Sequence, residues 1–214
     1  YGVAEDTAAD VMAQIYEPVT AHGMPVVVTN RPTAELVKAA ANAYLATKIS
    51  FINAMAEICE AAGADVSVLA DAIGHDDRIG RRFLNSGVGF GGGCLPKDIR
   101  AFQSRVGELG VGHAVDFLND IDAINLRRRT RVADLALTAV GGSFSGRNVA
   151  VLGAAFKPDS DDVRDSPALD IAAAIFNAGA SVRVHDPKAM GNAAARFPNL
   201  AYAQSVEDAV TGAD

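Results

Sequence analysis

The most reactive chemistry in the sequence lies in GFGGGCLPKD, residues 89–98, where one of only two cysteines follows three consecutive glycines. Pro96 is typical of a first helical turn, so Cys94 is expected just before a helix N-terminus. Unpaired amides and the positive end of the helix dipole stabilise a thiolate there, and glycines let a substrate approach the backbone. The segment therefore favours Cys94 as a nucleophile, with a flexible turn holding an incidental small residue as the alternative.

Lys38, Asn42 and Asp98 are the polar residues best placed to assist such a thiol. Lys38 and Asn42 are four residues apart and share a helix face that continues into apolar residues. A lysine on a buried face needs a partner, so one pocket could serve this pair and an activated cysteine. The alternative is a polar pair that sets the register of a packed helix seam. Asp98 could position a water or accept a proton, or simply stabilise the first turn of its helix.

The composition excludes several classes of protein. Of 214 residues, 50% are hydrophobic and 21% charged, and the net charge of -7 favours neither nucleic acid nor an anionic membrane as the partner. The longest apolar runs are too short to cross a bilayer, and no signal-peptide pattern opens the chain. Two cysteines and four widely separated histidines indicate a reducing compartment, taken as the cytoplasm, and no metal site.

The first two thirds of the chain carry helical patterns. A short helix is expected over residues 5–17, and PVVVT follows as a strand or extended connector. A long helix from Pro32 to Gly63 is rich enough in apolar residues to be buried over most of its circumference, with Cys59 in its core face. Further helices are predicted at Asp65–Ile73, Pro96–Leu109 and His113–Val140.

After residue 142 the pattern changes to strand, helix, strand. NVAVLG and SVRVHDP read as parallel strands joined by a helix that Ser166 caps, and SVEDAVTGAD reads as a further helix. The fold class is therefore α/β, an all-helical unit followed by a Rossmann-like parallel unit. Since NVAVLGAAFKPD lacks GxGxxG and Asp186 ends the second strand, where such folds hold a ribose hydroxyl, a mononucleotide or sugar nucleotide fits this unit better than NAD.

Several basic residues could bind phosphates. Arg78 and Lys157 are the isolated candidates, each in a loop. Arg127–Arg129 and Arg131 form a charge run on a long helix, which is typical of a solvated face.

Three long segments, in the correct order, resemble the UDP-glucose 6-dehydrogenases, which belong to the NAD-dependent nucleotide-sugar dehydrogenases. They are ELVKAAANAYLATKISFINAMAEIC, DDRIGRRFLNSGVGFGGGCLPKDIRAF and GAAFKPDSDDVRDSPALDI with the following VRVHDP. The resemblance implies a remnant of an NAD-binding domain at residues 1–28, a helical dimerisation domain at 29–142 and a partial UDP-binding domain at 143–214. We expect a piece of a larger enzyme, inactive alone because the GxGxxG domain is missing.

In this family the C6 hydroxyl of the sugar is oxidised twice, with two NAD as hydride acceptors. The resemblance implies that Cys94 holds the aldehyde as a thiohemiacetal and then a thioester, which water hydrolyses to the uronate. Lys38 and Asn42 match residues that stabilise the oxyanion in a dry pocket. Asp98 matches a residue that orients or deprotonates the water.

The resemblance also implies ligand contacts. Lys97 and Arg164 match positions that face NAD, and Arg78 matches an arginine that reaches UDP-glucose from the other subunit of a homodimer. The remaining substrate positions are Phe83, Leu84, Asn85, Ser86, Gly87, Gly91, Phe156 and Lys157.

Some alternatives stay open. Gly93 stands where the family usually has serine and Leu95 where it has an aromatic residue, which affects fine positioning. The sequence around Arg78 resembles that of glucose-type enzymes more than that of GDP-mannose or UDP-N-acetylmannosamine dehydrogenases. A noncatalytic dimerisation and nucleotide-binding module is the alternative of another class. We expect subunit packing, or else core packing, from the second long helix with Phe117, Leu118, Ile121, Ile124 and Leu135.

Overall fold

The structure is a computed structural model that describes all of residues 1–214. Eight α-helices, one 3-10 turn at Gly112–Val115 and three β-strands follow one another along the chain. The helices are α1 Asp6–Thr20, α2 Arg31–Ala62, α3 Val66–Gly74, α4 Leu95–Glu108, α5 Phe117–Ala139, α6 Pro167–Asn177, α7 Met190–Arg196 and α8 Val206–Val210. The strands are β1 Asn148–Leu152, β2 Ser181–His185 and β3 Ala201–Tyr202. The predicted α/β class, a helical unit followed by a parallel α/β unit, is confirmed.

PVVVT is the extended connector that the sequence allowed as well as a strand, and only Thr29 forms a parallel bridge, with Gly2. Local details differ from the sequence predictions at two places. The helix predicted from His113 begins as a 3-10 turn, and α5 starts at Phe117. The short elements α7 and β3 were not predicted, because their alanine-rich and glycine-containing sequence has no clear apolar period.

Helix α2 is the scaffold of the helical unit, and its two ends follow from its sequence. The Asn30 side chain accepts a hydrogen bond from the Thr33 amide at 2.9 Å, which caps the N-terminus. Gly63 ends the helix with a φ of 69°, a left-handed conformation that glycine adopts without strain. Between them, Ala46, Ile52 and Cys59 are buried, so the predicted core role of Cys59 is confirmed.

One face of α2 contradicts the expectation of burial over most of its circumference. Val37, Tyr44, Phe51 and Ile58 recur every seven residues and are 45–61% exposed. Residues seven apart lie almost above one another on a helix, so the four form one continuous apolar stripe. The apolar richness of α2 therefore serves two faces: one packs on α4 and α5, and no element of this chain covers the other.

Helix α5 lies against α2 and supplies much of the helical core. Leu118 and Ile121 are buried there beside Ala43, Ala46 and Ile99. Their assignment to subunit packing is therefore wrong, and the alternative of core packing is right for these two. Phe117 and Leu135 remain exposed, and Ile124 is half-buried.

The C-terminal unit is built on a parallel sheet in the order β1-β2-β3. Val149 pairs with Val182 and Val151 with Val184, so β-branched residues pack side by side. Helix α6 covers the sheet with Leu169, Ile171 and Ile175, all buried, and its N-terminus is capped by the Ser166 hydroxyl. The loops after β1 and β2 meet at the carboxyl edge, where ligands bind in sheets of this kind.

Asp186 joins those two loops and has a structural role. One carboxylate oxygen accepts hydrogen bonds from the amides of Ala154 and Ala155, and the other from those of Lys188 and Ala189. The side chain is buried and its acceptor sites face backbone donors, so the expected contact with a ribose hydroxyl is wrong. Burial alone would raise the pKa of Asp186, but the four backbone donors outweigh it and lower the pKa to about 2.

The lowered pKa predicts how stability depends on pH. The ordinary pKa of 3.8 lies above the folded value, so this carboxylate contributes stability above about pH 4, which is lost as the pH falls towards 2. Asp186→Asn should lower the free energy of unfolding at pH 7 by about 1–3 kcal/mol, because an amide nitrogen would face backbone donors. Urea unfolding of the protein from pH 7 to pH 2 measures both effects.

Asp10→Asn is the matched control, since Asp10 is exposed on α1. The control should keep the wild-type stability and pH profile. An Asp186→Asn protein as stable as the control at pH 7, with an unchanged acid limb, would contradict the structural role.

Candidate active site

Cys94 is the N-cap residue of α4 and is exposed to solvent. Its carbonyl oxygen accepts the amide hydrogen bond of Asp98 at 2.8 Å, which closes the first turn. Pro96 lies in that turn, as the sequence predicted. A thiol in this position faces the positive end of a 14-residue helix and remains open to a ligand.

Asp98 brings the other predicted catalytic residues together. Its Oδ2 accepts a hydrogen bond from Nδ2 of Asn42 at 2.7 Å and lies 3.5 Å from Nζ of Lys38. Both partners come from α2, so Asp98 links the helix that begins at Cys94 to the scaffold helix. Cys94 and Asp98 thus lie one turn apart at the start of α4, and Asn42 and Lys38 of α2 contact Asp98.

The charges around Asp98 keep it ionised. Its burial opposes the charged form, but the hydrogen bonds from Asn42 and Lys97 and the charges of Lys97 and Lys38 outweigh burial and hold the pKa of Asp98 below its ordinary value. At neutral pH the group is therefore a carboxylate, which accepts hydrogen bonds and orients donors. A lowered pKa makes it a weak proton acceptor, so orientation is the larger part of what it offers.

The site is more open than the expected dry pocket. Asn42 is buried, but the Lys38 side chain is 67% exposed, so the prediction of a buried lysine is wrong for this chain. Lys38 lies near the beginning of α2, where only Asp98 approaches its ammonium group closely. The 214 residues alone therefore do not exclude water from this cluster.

The glycine segment is fixed on one side by α5. The Asn125 side chain, almost fully buried, accepts from the Phe90 amide at 2.7 Å and donates to the Phe90 carbonyl at 3.1 Å. Gly89 has a φ of 102°, and an added Cβ would lie 2.6 Å from Oδ1 of Asn125. Only glycine fits at this position, for both conformational and steric reasons.

On its other side the segment packs against the C-terminal unit. An added Cβ on Gly91 would overlap the backbone oxygen of Asp165, and one on Gly92 would lie 2.5 Å from the Phe156 ring. The Gly92 amide donates to the carbonyl of Arg164 at 2.8 Å. The glycines therefore let two folded units meet at backbone distance, immediately before Cys94.

Lys97 and Arg164 place two cations beside Cys94. Lys97 pairs with Asp98 at 3.3 Å and is largely exposed, on the turn that follows Cys94. The Arg164 guanidinium is held by Asp162 and lies over Gly93, where an added Cβ would be 2.6 Å from it. The absent side chain at position 93 leaves room for this contact. Two exposed cations near a thiol suit a ligand with an anionic pyrophosphate.

The segment Phe83–Gly87 forms a shaped loop ahead of the glycines. Phe83 is exposed with a φ of 66°, an unusual conformation for an aromatic residue, and Leu84 is buried beneath it. The Gly87 amide donates to the Asn53 side chain at 2.8 Å. Asn85 and Ser86 are exposed too, so the loop presents both aromatic and polar side chains to solvent.

Arg78 does not join the cluster. Its side chain is 89% exposed and pairs with Asp76, two residues before it. The end of the same loop is tied to α2 by Lys48, which donates to the carbonyls of Ile79 and Gly80. None of these contacts links Arg78 to Cys94 or Asp98.

Phe156 and Lys157 line a cleft of about 980 Å³ at the carboxyl edge of the sheet. The ammonium group of Lys157 lies 5.3 Å from the centre of the Phe156 ring. Lys188 and Asp186, from the loop after β2, border the same cleft. The two lysines are suited to the phosphates of a nucleotide, and the aromatic ring is suited to its base.

Three residues that hold the site were missed by sequence reasoning. Arg128 and Arg129 are each only 7% exposed, so the interpretation of their charge run as a solvated face is wrong for them. Arg128 donates to the carbonyl of Gly87, and Arg129 donates to that of Phe90. With Asn125, they follow a period of three to four residues facing the glycine segment, a signal that the run of charge concealed.

Two models of one protein family match the chain in order. The central domain of the UDP-glucose/GDP-mannose dehydrogenase family matches residues 32–127, and the UDP-binding domain of that family matches residues 150–214. None of the helices has the length and apolar character needed to cross a membrane.

Individual relatives agree with the family models. UDP-glucose 6-dehydrogenase TuaD of Bacillus subtilis is 45% identical over 194 residues, which is 91% of this chain and 41% of that protein. UDP-glucose 6-dehydrogenase of Rhizobium meliloti is 40% identical over 211 residues, 99% of this chain and 48% of that protein. The chain spans less than half the length of these curated relatives.

A solved structure shares the fold. UDP-glucose dehydrogenase from Pyrobaculum islandicum superposes with a TM-score of 0.89 at 36% identity, covering 95% of this chain and 46% of that one. Its agreement extends through the helical unit and the parallel sheet alike. With this shared fold and both domain models in their proper order, the chain belongs to the UDP-glucose/GDP-mannose dehydrogenase family.

Proposed function

We propose that this chain is the part of an NAD-dependent nucleotide-sugar dehydrogenase that holds the reactive thiol and the nucleotide site, and that the whole enzyme oxidises UDP-glucose to UDP-glucuronate. The observation that carries the proposal is the assembly of Cys94, Asp98, Asn42 and Lys38 at the start of α4. That assembly adjoins the unit matched by the UDP-binding domain model.

In the proposed chemistry, the C6 alcohol first becomes an aldehyde. NAD, when bound, accepts the hydride of each oxidation. The Cys94 thiolate adds to the aldehyde carbon to form a C–S bond, and the thiohemiacetal then loses a hydride and a proton to become a thioester. Water attacks the thioester carbonyl, the C–S bond breaks, and the thiolate leaves as the carboxylate product forms.

The cluster residues have distinct tasks in this scheme. Lys38 and Asn42 would donate hydrogen bonds to the oxygen that becomes negative when sulfur or water adds to the carbonyl carbon, an interaction often worth about 3 kcal/mol per donor. Asp98 holds both donors in place in the meantime. As a carboxylate, it would also orient the hydrolytic water.

Lys97 and Arg164 are the residues of this chain that would contact NAD. Lys97 is three residues after Cys94, Arg164 lies over Gly93, and both are largely exposed. Strand β1 runs into GAAFKPD without a GxGxxG fingerprint, so the contacts of Lys97 and Arg164 alone would not bind the dinucleotide in the usual way. We therefore expect the 214 residues alone to bind a UDP-sugar without reducing NAD.

UDP-glucose is favoured over other sugar nucleotides by the relatives. The curated proteins named above act on UDP-glucose by name, and the Pyrobaculum structure superposes better than UDP-D-ManNAc dehydrogenase from Pyrococcus horikoshii, with a TM-score of 0.89 against 0.80. Phe83–Gly87 and Gly91 would wrap the sugar, and Phe156 and Lys157 would hold the UDP. GDP-mannose and UDP-N-acetylmannosamine are the competing substrates. A cytoplasmic location stays a prediction.

We also propose that the enzyme is a homodimer with α2 at its centre. Val37, Tyr44, Phe51 and Ile58 lie within a stretch of 22 residues and form an apolar stripe about 32 Å long on an exposed face. A stripe of that length is what a second copy of α2 would cover. Arg78, which is exposed and pairs only with Asp76, would then be available to the substrate of the other subunit.

Replacement of the nucleophile tests the chemistry. In the full-length enzyme, Cys94→Ser should lower net UDP-glucuronate formation by at least about 1,000-fold, because an alkoxide does not form readily at neutral pH and leaves poorly from the ester. Chromatographic measurement of UDP-glucuronate checks this. Parallel assays of the wild type with GDP-mannose and UDP-N-acetylmannosamine test the choice of substrate.

Cys59→Ala is the matched control, because Cys59 is buried in α2. It should turn over at nearly the wild-type rate. Normal turnover by Cys94→Ser would remove the covalent mechanism, and faster wild-type oxidation of GDP-mannose would reassign the substrate.

A charge in the α2 stripe tests the dimer. Phe51→Glu should convert the full-length protein to a monomer in light scattering, because it would bury an unpaired carboxylate in the interface. Leu109→Glu, at an exposed apolar position after α4, is the control and should leave the dimer intact. A Phe51→Glu protein that remains a dimer would place the interface elsewhere.

A further inference from the structure

Arg129, a side chain of helix α5, binds both the glycine segment and the C-terminal unit. It projects from α5 and is buried between the two units. One terminal nitrogen donates to the Phe90 carbonyl at 3.0 Å, and the other donates to Asp165 at 3.0 Å and to Asp170. A planar guanidinium can hold three acceptors in fixed directions, which a lysine cannot do.

The groups that Arg129 binds lie next to the reactive and nucleotide-binding residues. Phe90 is four residues before Cys94 in a segment that packs without side chains against the C-terminal unit. Asp165 ends the loop that begins after β1 and includes Phe156. Within this loop the Phe156 amide donates to the backbone carbonyl of Asp162 at 3.0 Å. The Phe156 ring itself packs on Gly92. A ligand that restrains Phe156 therefore restrains the same loop that Arg129 holds.

Building on the proposed function, we propose that Arg129 is a positioning residue that couples nucleotide binding in the C-terminal unit to the placement of Cys94. A nucleotide diphosphate on Phe156 and Lys157 orders the loop that ends at Asp165. Arg129 transmits that order to the Phe90 carbonyl, and the glycine segment carries it to the thiol. Without the arginine, the nucleotide binds and the thiol stays misplaced.

Arg128 provides a matched comparison on the same helix. It is as buried as Arg129, but it donates to the Gly87 carbonyl and pairs with Glu57, both within the helical unit. A change at Arg128 removes a buried guanidinium without touching the C-terminal unit. The two arginines therefore separate general loss of core interactions from loss of the link between the units.

The test uses the full-length enzyme with UDP as the probe, and variants Arg129→Lys and Arg128→Lys. The first readout is the rate of Cys94 alkylation by iodoacetamide, with and without saturating UDP. In the wild type, UDP should change this rate about fivefold or more, the lower range of coupling between linked sites. Arg129→Lys should abolish that change, and Arg128→Lys should keep it.

Steady-state kinetics give the second readout. Arg129→Lys should lower kcat by about 100-fold, as a misplacement of about 1 Å can do, with little change in KM for UDP-glucose, because the nucleotide contacts are intact. The double variant Asp165→Gly/Asp170→Ala removes both carboxylate partners of Arg129 and should reproduce both effects, even if Arg129→Lys does not fold. Glycine tolerates the φ of 49° at position 165.

Three results would overturn the inference: no effect of UDP on alkylation of the wild type, an effect that survives in Arg129→Lys and in the double variant Asp165→Gly/Asp170→Ala, or an equal loss in Arg128→Lys. Failure of the proposed function is recognised separately. If the wild type does not oxidise UDP-glucose while UDP still controls alkylation through Arg129, the substrate assignment fails and the coupling stands.

Discussion

The close packing of the glycine segment between two folded units is the constraint on which the rest of the structure depends. Gly89 faces Asn125 of α5, and Gly91 and Gly92 face Asp165 and Phe156 of the C-terminal unit, with no room for a Cβ at any of the three. Cys94 follows at once, as the N-cap of α4. The position of the thiol is thus set by a contact between units rather than by either unit alone.

This constraint explains why polar residues are buried at the junction. Backbone groups of the glycine segment have no sheet or helix partners of their own, so side chains must satisfy them. Asn125 binds both polar groups of Phe90, Arg128 binds the carbonyl of Gly87, and Arg129 binds the carbonyl of Phe90. The charge of Arg129 is balanced by Asp165 and Asp170, which belong to the other unit. The same buried side chains therefore satisfy the backbone hydrogen-bonding groups of the loop and join the two units.

Much of this arrangement is readable from the sequence. The caps of α2, the helix start at Pro96 and the change of period after residue 142 are local signals, and local signals fix element type. Residue type and helical spacing alone left a structural alternative for Cys94, Lys38, Asn42 and Asp98, and the resemblance to the dehydrogenase family joined them into one set.

Other features depend on tertiary contacts that a pattern does not encode. The burial of Arg128 and Arg129 depends on which face of α5 meets the glycine segment, and a run of arginines looks the same whether exposed or buried. The role of Asp186 depends on two loops from distant strands meeting at one carboxylate. The exposed stripe of α2 and the outward Arg78 reflect surfaces that this chain alone does not cover.

The most direct measurement of the central constraint adds one methyl group to the glycine segment. Gly91→Ala in the full-length enzyme should lower the thermal unfolding midpoint and reduce UDP-glucuronate formation by about 100-fold or more, because the methyl group overlaps the Asp165 carbonyl and displaces Cys94. Gly191→Ala, in α7 with open space around it, should keep the wild-type stability and rate. A Gly91→Ala enzyme as stable and as active as Gly191→Ala would contradict the account.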